Sequence, residues 1–200
     1  MDHDFDADYW EAHWRRAGEG DDVRLIPASP YIDSELGELP PGTALDAGCG
    51  EGGEAIELAS RGWRVTAADI SEEALGSARA RAEGAGADIA WLHADLGRWA
   101  PDEPFDLVTT FYAHPDMPQL DFYARIAEWV APGGTLLIVG HLHGHGDHPD
   151  EASARAADAA ALLAPERWDV VTTEERRREM LGRDGRPYLL HDVVVRAVRR

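Results

Sequence analysis

Residues 45–59 read "LDAGCGEGGEAIELA". A short apolar run leads into glycines at alternate positions, Gly48, Gly50 and Gly52, with Gly53 directly after them, and a helical amphipathic run follows. Glycine reaches left-handed backbone angles without a Cβ clash and lets a ligand approach the main chain closely. A strand, a bare turn and a helix, in that order, form the first half of a βαβ unit, from which parallel sheets are built. The stretch therefore constrains the chain to an α/β architecture whose first strand ends in an approachable turn.

The remainder keeps the alternation. Residues 5–17 read as a short helix with Phe5, Tyr9, Trp10, Ala12, His13 and Trp14 on its less polar side. "LIPASPY" is a proline-broken connector, and a second helix over 31–38 stops at "LPPG". Strand signals at "TALDA", "WRVTAAD", "IAWLHAD", "PFDLVTTFY" and "TLLIVG" are separated by helices expected over 53–61, 72–83 and 117–130. Ser71 caps the helix that opens with Glu72 and Glu73, acids that suit a helix N-terminus. The helix over 117–130 carries Leu120, Tyr123, Ile126, Ala127 and Val130 at the helical period and ends at "PGG". An alanine-rich helix over 150–164 precedes two longer β-type runs, "WDVVTTEERR" and "PYLLHDVVVRAV", joined by the hairpin turn "GRDGRP". Five strands alternating with helices predict a doubly wound parallel sheet covered on both faces, with the terminal hairpin adding an antiparallel strand.

With 200 residues there is room for one domain with a proper core. We divide it into an N-terminal helical lid segment (1–40), a ligand-binding core (41–140) and an acceptor-side loop, helix and terminal hairpin (141–200). No stretch approaches the ~20 apolar residues of a membrane span. The acidic start "MDHDFDADYWEAHW" does not read as a secretory signal. Cys49 is the single cysteine, which excludes an internal disulfide, and a cytoplasmic location is the expectation. The net charge of −19 argues against nucleic acid as a partner. Residues 176–200 reverse that sign, with 8 Arg against 3 acids, and read as a solvated pair of edge strands.

In an open parallel sheet, ligands bind beyond the carboxyl ends of the strands, where the strand order switches. The glycine turn lies there, with the free N–H groups of the following helix beside it. Asp69, at the end of the second strand, can accept two hydrogen bonds from a ribose diol. Asp95, after the third strand, can accept from an adenine amino group. The three strand ends together describe an adenosine-shaped site.

These residues resemble the class I S-adenosylmethionine-dependent methyltransferases, of the small-molecule type. "LDAGCGEG", "VTAADIS", "LHADL", "FDLVTTFYAHP" and "VAPGGTLLIVG" appear in the family's order over about residues 40–140. The resemblance implies a seven-stranded, mostly parallel sheet of order 3-2-1-4-5-7-6, strand 7 antiparallel, with helices on both faces. It implies S-adenosyl-L-methionine as cofactor and methyl transfer to a small-molecule O, N or S acceptor; a monomer or homodimer is the expected state, and the lack of an apolar span leaves no membrane partner expected. Asp46, Gly48 and Gly50 then hold the amino-acid end of the cofactor, Gly52 completes the turn, and Cys49 lies within it as a small packing residue. Asp69 matches the ribose-binding acid, Ile70 the apolar residue beside the adenine, Asp95 and Leu96 the adenine-amino pair. Phe111 lines the pocket near the methyl donor.

Gly48, Gly50 and Gly53 also satisfy a dinucleotide fingerprint, a weak signal by itself. Asp46 argues against that reading, because a carboxylate suits an ammonium group and not a pyrophosphate. A binder of the same nucleoside without catalysis is a further alternative. If the acceptor must lose a proton, His114 after strand 4 and His141 after strand 5 are the candidate bases. Tyr9, Trp10 and Trp14 of the first helix, with Tyr31 and Tyr112, are candidates for a lid or an acceptor wall. The stretch "GHLHGHGDHPD" places His143, His145, Asp147 and His148 in the pattern H-x-H-x-D-H, similar to the metal motif of metallo-β-lactamase-fold hydrolases. The strand–helix alternation around it departs from that family, so the stretch reads as a polar loop over the acceptor site, with a metal-dependent hydrolase as the lesser alternative.

Overall fold

A computed structural model describes residues 5–18, 28–142, 154–181 and 187–200. Seven strands form one sheet of order β3-β2-β1-β4-β5-β7-β6. They are β1 (Thr43–Ala47), β2 (Arg64–Asp69), β3 (Ile89–His93), β4 (Phe105–Phe111), β5 (Val130–His141), β6 (Trp168–Leu181) and β7 (Pro187–Arg199). The first five run parallel, and β7 enters antiparallel between β5 and β6. The helices are α1 (Ala7–Gly18), α2 (Tyr31–Leu36), α3 (Gly53–Ser60), α4 (Glu72–Ala85), α5 (Gln119–Ala127) and α6 (Ala156–Ala161).

Both faces of the sheet are covered, and the period-2 alternation of strand side chains divides the core in two. On β5, Leu136 and Ile138 meet Phe122 and Ile126 of α5 and Ala159 of α6. Leu137 and Val139 point the other way, toward Ile32 of α2 and Leu58 of α3. Strands buried on both faces explain the near-continuous apolar runs of β4 and β5.

Local signals set the ends of these elements. Ser71 Oγ accepts the Ala74 N–H at 3.2 Å and caps α4, which Gly86 closes with φ 67. Three expectations change. Helix α5 ends at Ala127, and Val130 opens β5 by pairing with Phe105, so "PGG" lies inside an irregular strand start and not in a helix-ending turn. The alanine-rich helix is described only over Ala156–Ala161. The terminal hairpin is not a pair of edge strands: β6 is the edge, while β7 is bonded on both sides. Two of its arginines are correspondingly less solvated than expected, with the Arg176 and Arg178 side chains 31% and 24% exposed, while Arg177 and Arg200 remain exposed.

Candidate functional site

The carboxyl ends of β1, β2 and β4 meet at the glycine turn. Gly48, Gly50 and Gly52 all adopt positive φ (80, 51 and 75). The backbone N–H groups of Gly48 and Cys49 donate to Ala68 O on β2, at 2.8 and 3.0 Å. A Cβ on Gly48 would lie 2.3 Å from that of Ala113, so the chain after β4 packs directly on the turn.

Asp69 holds the turn from the side. Its Oδ2 accepts the Gly50 N–H at 2.8 Å and its Oδ1 the Ser71 N–H at 2.9 Å. Burial still raises its pKa, against the pull of those donors. Asp46 is 1% exposed; its Oδ1 accepts from Thr109 Oγ1 at 3.2 Å, and its Oδ2 has no hydrogen-bond partner. Burial, then the charge of Glu54, lift the Asp46 carboxyl well above its ordinary range. Glu54, in the first turn of α3, accepts the Ser29 N–H at 3.1 Å and is itself pushed up by burial. Three carboxyl groups thus surround the turn in an environment that resists their ionisation. A cationic ligand would relieve that strain. Cys49 is buried, and burial with the charges of Asp46 and Asp69 raises its thiol pKa well above the ordinary value, the opposite of a reactive thiol.

Asp95 forms a local turn, its Oδ1 accepting the Gly97 N–H at 2.8 Å and its Oδ2 lying 3.5 Å from Arg98 Nε. Leu96 is buried in the core on the α5 side, and Phe111 in the core on the α2 side. Ile70 is half-buried, its carbonyl 2.9 Å from His93 Nε2.

Helix α1 lies over this end of the sheet. The Trp14 ring would stand 3.0 Å from a Cβ on Gly50. Glu11 Oε1 accepts the Glu72 N–H at 2.7 Å, and its Oε2 accepts from Ser71 Oγ and the Glu73 N–H, each at 3.2 Å. Trp10 Nε1 donates to His114 O at 3.0 Å. Tyr9 packs edge-on against Trp10 with ring centroids 5.1 Å apart. His114 Nδ1 lies 3.1 Å from Gln119 Oε1, which ties its ring to α5.

A second polar cluster, around β7, contains residues that were not read from the sequence. Asp192, on β7, is fully buried. Its Oδ2 accepts from Arg178 Nε at 2.6 Å and from the Tyr31 hydroxyl at 2.9 Å. Its Oδ1 accepts from the Tyr112 hydroxyl at 3.2 Å and lies 3.8 Å from His141 Nδ1. Arg178 Nη2 donates to the Tyr112 oxygen at 2.9 Å. The Tyr112 and His141 rings stack, with centroids 4.1 Å apart. Tyr112 is the one non-glycine with positive φ (57) among the described residues. Tyr31 is 5% exposed and sits under Arg176 as part of this support, with the arginine 5.4 Å from its ring. A lone acid opening the apolar run "DVVVRAV" was the available signal for Asp192; Arg178 and Glu11, placed by tertiary contacts, gave none.

His143, His145, Asp147 and His148 lie outside the described residues. Among the described residues, no group of histidine, cysteine and acidic side chains could hold a metal ion, and no helix is long and apolar enough to cross a membrane.

A family model described as a methyltransferase domain matches residues 44–134. An uncharacterized methyltransferase of Mycobacterium tuberculosis is 41% identical over 117 residues, 56% of this chain and 58% of the relative. The trans-aconitate 2-methyltransferase of Streptomyces coelicolor is 34% identical over 121 residues, 56% of this chain and 40% of the relative. The match thus spans about half the length of these relatives. The magnesium protoporphyrin IX methyltransferase of Synechocystis, crystallised with bound S-adenosylhomocysteine, superposes with a TM-score of 0.66 at 18% identity, covering 97% of each chain.

Proposed function

We propose that the chain is a class I S-adenosylmethionine-dependent methyltransferase that transfers a methyl group to a small-molecule O, N or S acceptor by in-line displacement, a reading that the matching methyltransferase-domain model and the methyltransferase relatives support. The observation that carries the reading is Asp46 Oδ2, a buried carboxylate oxygen with no partner, set at the glycine turn beside Glu54. An unpaired buried charge is costly. The ammonium group of the family's cofactor is a fitting partner, and its positive sulfur suits three nearby carboxyl groups. A pyrophosphate suits neither.

Asp69 is the residue we assign to the ribose. Its hold on Gly50 keeps the turn shaped before the ligand arrives, so little ordering is left for binding. Asp95, Leu96 and Ile70 are assigned to the adenine end, and the Gly48–Cys49–Gly50–Gly52 turn with Phe111 to the methionine and methyl-donor end. The cofactor supplies the electrophilic methyl group; the protein supplies proximity and alignment, worth about 7–11 kcal/mol in favourable cases. Trp14, Trp10 and Tyr9 close the site from above, excluding water from the reacting centre. The small-molecule acceptor named in the Streptomyces relative supports the same class here.

Titration calorimetry with S-adenosylmethionine and with S-adenosylhomocysteine tests the reading, followed by an acceptor screen with radiolabelled methyl donor. Binding of both ligands, the cationic one more tightly, is expected. Absence of binding of either overturns the proposal; binding without label transfer to any acceptor favours a non-catalytic nucleoside binder.

A further inference from the structure

Asp46 lies in β1 and Glu54 in the first turn of α3, with the glycine turn between them. Asp46 Oδ1 accepts from Thr109 Oγ1 at 3.2 Å, while Oδ2 is buried with no hydrogen-bond partner. Glu54 is half-buried, and its Oε1 accepts the Ser29 N–H at 3.1 Å. After burial itself, the charge of Glu54 is the strongest influence keeping Asp46 from ionising. Two carboxyl groups so placed do not ionise together readily, and they titrate as one unit. The two arginines that draw on Glu54 are engaged elsewhere: Arg81 lies 3.6 Å from Glu51 Oε2, and Arg178 is bonded to Asp192 at 2.6 Å.

We infer that Asp46 and Glu54 together receive the cofactor's ammonium group, and that binding exchanges a proton held by the ligand-free pair for that cation. The inference rests on the methyl-donor reading above. It deepens that reading by adding Glu54 to the site and by coupling occupancy of the site to pH. The ligand-free pair carries one proton and one negative charge. On binding, that proton leaves to solvent, and both carboxyls are left ionised beside one cation. A buried carboxylate without a partner is costly, and a cation in hydrogen-bond reach offsets that cost.

Other groups act on the pair from each neighbouring element. Asp69 of β2 adds a weaker repulsion on Asp46, and Glu11 of α1 acts on Asp69 in turn. Thr109 of β4 and the Ala55 N–H of α3 draw the Asp46 carboxyl back down. Arg81 of α4 and Arg178 of β6 do the same for Glu54, as do its own N–H and that of Ser29. Burial keeps the Cys49 thiol neutral within the turn. Asp69 is the one rival source of a released proton. Two N–H groups already favour its charged form, and its assigned partner is the ribose, so a ligand without the amino-acid part tells the two sources apart.

Titration calorimetry of the full chain with S-adenosylhomocysteine tests the exchange, run from about pH 5 to about pH 7 in buffers of different ionisation heat so that released protons are counted. An α-amino group titrates near about 7.7–8.0, so over this range the ligand stays protonated and the count belongs to the protein. Release is expected to approach one proton per ligand bound, with affinity falling about tenfold for each pH unit of acidification. 5′-Methylthioadenosine, which keeps the nucleoside and lacks the amino acid, is expected to bind without that release. Glu54→Gln keeps an acceptor for the Ser29 N–H and removes the like charge, so its release profile should move down by about one pH unit or more. Binding of S-adenosylhomocysteine with no proton released, equal release with methylthioadenosine, or an unmoved profile in a folded Glu54→Gln overturns the inference and leaves the methyl-donor reading standing. Should that variant not fold, the counts from the native chain with the two ligands decide. Failure of the native chain to bind S-adenosylhomocysteine or S-adenosylmethionine overturns the methyl-donor reading itself, and the inference with it.

Discussion

Glu11 of α1 accepts the backbone N–H of Glu72 at 2.7 Å, so one carboxylate belongs to the covering helix and at the same time caps α4. Its other oxygen reaches Ser71 Oγ and the Glu73 N–H. Helix α1 is therefore latched to a helix terminus, where a negative charge is favourable. Glu11→Ala is expected to lower stability by about 1 kcal/mol, in the range of a lost cap. Amide exchange in α1 should accelerate while the β1 amides stay protected; equal acceleration in both would count against a local latch.

The contact between Trp14 and Gly50 gives a second expectation. An alanine at 50 adds left-handed strain, about 1–2 kcal/mol, and a methyl 3.0 Å from the indole. Gly50→Ala should destabilise the fold and loosen α1. In a double-mutant cycle with Trp14→Ala, the coupling should reach at least about 0.5 kcal/mol, as for residues in contact. Strict additivity in denaturant unfolding would mean that the ring does not rest on the turn in solution.

Asp69 is asked to shape the turn and to hold a ribose. Asp69→Asn keeps one acceptor oxygen and removes the charge, so the cofactor should bind at least about tenfold more weakly, since hydrogen bonds to charged groups contribute roughly 1.5–3 kcal/mol each. Calorimetry beside a denaturant melt separates the two roles. Unchanged affinity would falsify the ribose assignment.

Asp46 links the site to pH. Its carboxyl titrates well above an ordinary aspartate because it is buried, and because Glu54 is near. Between the unfolded value of about 3.9 and the raised folded value, the native state holds the extra proton. Its stability therefore falls as pH rises through that window and stays lower above it. An Asp46→Asn chain lacks this titration. The two chains should be about equally stable near pH 4, and the variant should gain steadily on the native chain toward neutrality while binding S-adenosylmethionine less tightly. Parallel stability curves at all pH values would remove the buried charge from the account. Lowered groups such as Glu128, beside Arg167, are common to both chains and cancel in the difference.

What the sequence made legible follows the range of the forces involved. The strand–helix alternation and the glycine turn come from local signals, the apolar runs of β4 and β5, the Ser71 cap and the spacing of Gly48, Gly50 and Gly52, whereas the sheet order came from the family resemblance. The start of β5 was misread because Val130 fits a helical period yet pairs with Phe105, a preference set by a neighbouring strand. Charge composition misled at the carboxyl end. An arginine-rich run looked solvated, but alternate residues of β6 face inward, and Arg178 meets Asp192 across the hairpin. Tyr31 shows the same limit, since an aromatic in a short helix gives no hint that its hydroxyl reaches a carboxylate on β7.

The reversal of β7 has a wider consequence. Running against its neighbours, this strand brings its opening half, and with it Asp192, to the rim where β4 and β5 finish. There it joins Tyr31, Tyr112 and His141, so one polar cluster is assembled from the early helix, the middle strands and the last strand of the chain.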